Sequence, residues 1–221
     1  MGWFGLDPQS IADRVKASGA PVRVPSLTES IVRGAAGFSV LSVAAFTPWV
    51  FAGRRLGETG MYAACAALFI GLSGPLLHRL ILGPGSLPRF TKLFALAFVA
   101  NAVGWTSGYM ILRGHAGSLV GLLAGTAAMG GVIAVAFEAR NEALKSIAAL
   151  FVLTTLGYYV GWWVEAPLSK THRTAAMLLY GVFYGLGLGA GLGLAFHFCQ
   201  NAARGNLSSS AGPLTSDSAR K

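Results

Sequence analysis

Charge is what this chain has least of. Asp, Glu, Lys and Arg make up 11% of its 221 residues and hydrophobic residues 54%, whereas about 25% of an ordinary soluble domain is charged. A water-exposed fold could not hide that much apolar surface, so the composition calls for lipid as solvent. The scarcity is also positional. Six apolar stretches run from residue 31 to about residue 199, and none has an acidic or basic residue in its middle. Intramembrane charges mark proton relays, ion sites and gates, so the usual pointers to those functions are missing.

Cysteine is nearly absent as well. Cys65 and Cys199 fall toward opposite membrane faces in the topology below, with roughly 30 Å of hydrocarbon between those faces. A disulfide needs Cα atoms within ~7 Å, so none is expected. A cleavable leader is missing too: the first 30 residues hold no continuous apolar core, and the first span is expected to act as an uncleaved signal.

What is present sorts into three parts. Residues 1–26 read as an amphipathic N-terminal segment on the membrane surface. Trp3 and Phe4 serve as its interfacial anchors, Asp7 as N-cap, Pro8 as first helical residue and Gly19 as the stop, with Ile11 and Val15 on one face. Residues 27–200 read as a six-helix transmembrane domain opened by the capping box Ser26-Leu27-Thr28-Glu29. Its spans run to about residue 52 and then over about 60–82, 90–112, 117–137, 146–164 and 175–199, each near the ~20 residues a crossing helix needs. The short Gly- and Pro-rich connections make neighbours antiparallel, which predicts an all-α polytopic membrane protein of helical hairpins. Residues 201–221, polar and Ser-rich, read as a disordered tail.

Twelve of the 17 Lys and Arg residues fall on the side of the two termini. The positive-inside rule then places both termini in the cytoplasm, for a protein of a bacterial inner membrane or an organelle membrane. The same rule accounts for the formal net charge of +9 without nucleic acid as a partner.

Glycine carries the clearest pattern. Gly181, Gly185, Gly189 and Gly193 recur every four residues in the last span, and Gly117, Gly121 and Gly125 do so in the fourth. Such rows lie along one helix face and let backbones approach closely. They predict tight seams, inside the bundle or against a partner, or else a smooth groove for a flat apolar ligand such as a lipid, quinone or pigment. Spans 3 and 5 also align at a 53-residue offset through Phe98-Val99 and Phe151-Val152, as three copies of a two-helix hairpin would. The Pro-x-Asp/Glu-x-x-Lys/Arg signature of mitochondrial carriers, another three-hairpin family, is absent.

The remaining candidates are sparse. His78 and His197 are expected at similar depth near the terminal face, where two histidines on different helices could ligate a haem. Arg79, Arg89, Lys92, Glu138, Arg140, Glu142 and Lys145 form a charged face suited to docking a partner. Asn101 is the only amide at mid-span, able to bond across helices or to orient a ligand. Gly71-Leu72-Ser73-Gly74 coincides with the Gly-x-Ser-Gly of rhomboid proteases without their flanking signatures. No catalytic residue, metal site or obligatory cofactor is assigned. The expected function is a non-catalytic subunit of a larger membrane assembly, in contact with lipid and other membrane subunits. A small-solute transporter or channel stands second, and a membrane enzyme or haem protein third.

Overall fold

The computed structural model describes residues 4–19 and 23–210, which form eight helices, two 3-10 turns and no strand. Helix α1 (Pro8–Ser18) precedes six long helices: α2 (Leu27–Phe51), α3 (Gly53–Leu77), α4 (Ser86–Leu112), α5 (Gly114–Ala136), α6 (Ala143–Leu168) and α7 (Arg173–Cys199). All six are long and apolar enough to cross a membrane. Helix α8 (Asn201–Ser210) follows, and the 3-10 turns are His78–Leu80 and Arg140–Glu142. The chain is thus all-α and polytopic, as its composition predicts. Trp3, Pro21 and the tail beyond Ser210 lie outside the described residues.

Local chemistry sets the helix ends. The Asp7 carboxylate accepts from the Ser10 amide at 2.8 Å and starts α1; Gly19, at φ +60°, ends it. Ser26 Oγ accepts from the Glu29 amide at 3.1 Å, half of the expected capping box. The Glu29 carboxylate turns instead to Arg33 at 2.6 Å and Arg23 at 3.1 Å, since a charged donor outcompetes a neutral amide for a carboxylate. Near its start α3 breaks at Gly57, whose φ of +64° is open to glycine.

Two terminal segments depart from expectation. The apolar face of α1, which the sequence assigns to lipid, is turned onto the protein. Leu6 and Ile11 are fully buried in the main core, and Val15 Cγ2 lies 3.5 Å from where a Cβ on Gly83 would stand. Nor does disorder begin at residue 201. In α8, Ala203 is buried and Leu207 packs on the core, an i, i+4 apolar pair that docks the helix against α1. Arg204 Nη1 donates to the Pro25 carbonyl at 2.5 Å, and burial lowers the Arg204 pKa.

Helix α7 packs most extensively, against α2 on one side and α6 on the other, while α4 and α5 form a second close pair. Helix α3 is held less closely, by α2 and α4. Both cysteines are buried and free. Gln200, 1% exposed, ties α7 to the α3–α4 connection. Its Oε1 accepts from the Leu82 amide at 2.7 Å, and its Nε2 donates to the Leu80 and Phe196 carbonyls, each at 2.8 Å.

Candidate functional site

The glycine rows lie where backbones come closest. A Cβ on Gly189 would overlap the Gly34 carbonyl of α2, and one on Gly193 the Ser30 carbonyl. One on Gly185 would stand 2.6 Å from Ser39 Cα, and one on Gly181 3.2 Å from the Phe46 ring. On the α6 side, a Cβ on Gly187 or on Gly157 would stand 2.9 Å from the other's Cα. Within the α4–α5 pair, Cβ atoms on Gly117, Gly121 and Gly125 would meet the carbonyls of Tyr109, Trp105 and Asn101 at 2.9, 2.6 and 2.8 Å. At all of these positions but Gly181, which meets a side chain, glycine is required because backbone on the opposite helix cannot move aside.

Where α3 faces this framework, the packing opens into a cavity of about 490 Å³, within the range of small-molecule sites. Nine aromatic side chains line it, contributed by all the long helices except α5. Trp49 meets Tyr62 edge-on at 5.2 Å, Phe69 meets Phe98 at 5.0 Å, and Tyr180 lies between Phe46 at 5.6 Å and Tyr158 at 6.0 Å. Tyr184 stacks parallel to Tyr180 at 6.2 Å. Sequence position puts this lining in the half of the bundle away from the termini: Trp49 is near the end of α2, Tyr62 near the start of α3, Tyr180 near the start of α7.

Polar groups in the wall are few. Asn101, near the middle of α4, and Thr106, one and a half turns further on, reach the cavity. No side-chain hydrogen bond involves the Asn101 amide among the described residues. The Tyr158 hydroxyl donates to Ser118 Oγ at 3.3 Å, and the Cys65 thiol donates to the Ala45 carbonyl at 3.0 Å. No charged side chain is among the described lining residues. Flat aromatic faces with one free amide suit a flat, largely apolar molecule carrying a carbonyl or hydroxyl.

The other candidates scatter. His78 Nδ1 is 2.9 Å from Ser86 Oγ, and His197 Nδ1 is 3.4 Å from Ser30 Oγ, so each ring engages the serine of a different helix. No group of three or more His, Cys, Asp or Glu residues suited to a metal occurs among the described residues. Ser73 is buried and donates to the Ile70 carbonyl at 2.8 Å, an intrahelical bond that leaves it no base. Of the charged set, Glu142 pairs with Lys145 at 3.0 Å. Arg79, Lys92, Glu138 and Arg140 are exposed and Arg89 is half-buried. Phe4 is half-buried and packs against the core.

No protein-family model matches the chain, and neither a curated protein nor a solved structure does.

Sequence reasoning placed Asn101 but missed its aromatic surroundings. Trp49 sits near a helix end, where membrane proteins carry an interfacial aromatic belt, whereas Tyr158 is near the middle of α6. The available signal was that five of the six long helices carry such aromatics, which does not say that they converge.

Proposed function

We propose that this chain is a non-catalytic integral membrane protein that holds a flat, largely apolar ligand in the aromatic cavity, as a component of a larger membrane assembly. The observation that carries this reading is the cavity itself: nine aromatic rings with Asn101 as the amide available to a ligand carbonyl or hydroxyl. Aromatic faces grip a flat ring through offset and edge contacts, and a single hydrogen bond sets its orientation. The chemistry fits a quinone, a pigment or a ring-bearing lipid. Transport of a polar solute finds less support, because no charged group is among the described residues that line the cavity.

Orientation belongs to the same reading. The excess of Lys and Arg at the end of the bundle that carries α1 and α8 supports a cytoplasmic position for that end. The ligand would then sit in the half of the membrane away from the cytoplasm, with the exposed Arg79, Arg140 and Lys145 turned toward cytoplasmic partners. The glycine rows serve as internal seams, which leaves the outer faces of α4 and α6 for lipid or neighbouring subunits.

Extraction in mild detergent, followed by mass spectrometry of the intact particle and its organic extract, tests both halves of the proposal. The expected result is a particle heavier than this chain plus detergent, carrying an aromatic or quinonoid small molecule. Trp49 and Trp105 line the cavity, so a short-chain benzoquinone should quench tryptophan fluorescence saturably in the ligand-stripped protein. Extract free of any such molecule, together with no saturable quenching, would overturn the ligand. A particle holding this chain alone would overturn the assembly.

A further inference from the structure

A second recess lies at the opposite end of the bundle, where Phe4, just ahead of α1, stands beside α4 and α5. Phe4 and Leu96 wall two adjoining grooves there, of about 590 and 780 Å³. At the outer rim stand Arg89 and Lys92 of one groove and Arg140 of the other, with Glu138 the one carboxylate among the described lining residues. The floor is apolar, formed along α5 by small residues such as Ala128 and Gly131 and by Val135. Along α4 the lining runs from Pro88 to Leu96, so the groove descends roughly 12 Å at 1.5 Å per residue.

A second observation concerns cations with too few partners. Arg14 and Arg89 stand around Gly5, with Arg14 Nη1 3.3 Å and Arg89 Nε 3.9 Å from where its Cβ would be. Arg14 Nε and Nη2 are buried and make no hydrogen bond among the described residues. Burial, and then the neighbouring Arg89 charge, lower the Arg14 pKa, against an opposing pull from Asp7. Among the described residues Arg89 Nη1 donates to the backbone carbonyls of Pro84 and Gly85, at 3.0 and 2.9 Å. Buried guanidinium donors without acceptors are costly, and a phosphate oxygen is the acceptor that fits their planar fork.

We propose that these grooves bind an anionic phospholipid, its phosphate at Arg89 and Lys92 with Arg14 beside Arg89, and an acyl chain lying over Leu96 and the small residues of α5. The charge at the rim selects an anion over a zwitterion, as basic pockets between transmembrane helices do. The apolar floor selects an amphiphile over a free phosphate, which would leave the descending part of the groove empty. This site is independent of the aromatic cavity and lies at the other end of the helices.

The test is native mass spectrometry of the detergent-purified full chain, titrated separately with phosphatidylglycerol, with phosphatidylcholine of the same chains, and with glycerol phosphate. Phosphatidylglycerol should bind about tenfold or more tightly than phosphatidylcholine, given about 1 kcal/mol per basic residue near the headgroup. Glycerol phosphate should show no binding in the same range. R89Q/K92Q should erase the preference, while R79Q, an exposed arginine outside the grooves, should keep it. Should R89Q/K92Q fold poorly, Ala128→Trp blocks the floor instead and should weaken phosphatidylglycerol alone. Equal binding of the two lipids would overturn the site. So would tight binding of glycerol phosphate, or an undiminished preference in R89Q/K92Q or in Ala128→Trp.

Discussion

On one side of the bundle α7 meets α2 and α6 through glycine; on the other, α3 faces α4 through Phe69, Phe98 and Trp105. In the first region a Cβ at Gly189 or Gly187 would run into the backbone of the facing helix. In the second, rings 5.0 Å apart between Phe69 and Phe98 hold the helices apart and leave about 490 Å³ unfilled. Lipid tails are as apolar as leucine, so helices gain nothing from hiding leucine from them and must associate by close contact. Small residues give that contact along a whole seam. Large flat residues touch at their edges and leave space between, which a rigid seam elsewhere makes tolerable. The fold thus divides labour, with the seams supplying stability and the looser α3 side supplying room.

The sharpest way to break this comparison is to put the same side chain into both regions. Gly189→Leu should cost more than about 3 kcal/mol or abolish the folded protein, because overpacking against backbone exceeds the usual 1–3 kcal/mol. Gly71, on α3, has nothing within 4 Å of its Cβ direction. Gly71→Leu should therefore stay within about 0.5 kcal/mol of the parent. Denaturant titration in detergent with a folded-state fluorescence readout measures both. Equal losses would mean that the α7 seam is no tighter than the lipid-facing surface of α3.

Next in size is Gln200→Leu, which removes three hydrogen bonds and leaves the Leu82 amide and Leu80 carbonyl unpaired. Each buried group left without a partner costs about 1–3 kcal/mol. The loss should show in the same titration, and amide exchange should quicken first around Leu82. An unchanged Leu82 amide would mean that the connection is held by its apolar packing alone.

The glycine rows were legible in the sequence because a four-residue spacing lies along one helix face, a local property; whether that face makes a seam or a groove was not. The span positions were legible for the same reason: length and hydropathy set them locally. The cavity was not, since a void depends on which faces of five helices converge, and no local pattern encodes that. Gln200 was passed over because a polar residue at the end of a membrane helix looks like solvent-facing punctuation. Its partners, Leu80 and Leu82, lie well over a hundred residues away in sequence. What covers α1 was not legible either. The apolar positions Ile11 and Val15 were found correctly, but their periodicity cannot say whether lipid or protein covers them.

Two smaller predictions probe the cavity side. Ala66 lines the cavity from α3, and Ala66→Trp should fill it. Bound small molecule recovered from the organic extract should fall about tenfold or more, equivalent to 1.4 kcal/mol or more, while stability holds or rises as the void closes. Ligand retained at parent level in the filled protein would place it elsewhere.

Asn101→Leu is the finest cut, because Asn101 touches both regions. Its Oδ1 lies 2.8 Å from where a Cβ on Gly125 would stand, at the α4–α5 seam, while its residue also lines the cavity. If the amide serves the ligand, the substitution should weaken binding roughly 2–10-fold, the worth of one hydrogen bond at about 0.5–1.5 kcal/mol, and leave the ligand-free protein as stable as before. If the amide serves the seam, the ligand-free protein should lose stability by a similar amount and ligand affinity should hold. Measuring denaturation without ligand and quenching with it, on the same variant, assigns the residue to one region or the other. An amide that moves neither readout would remove the polar anchor from the cavity and leave shape alone to select what binds there.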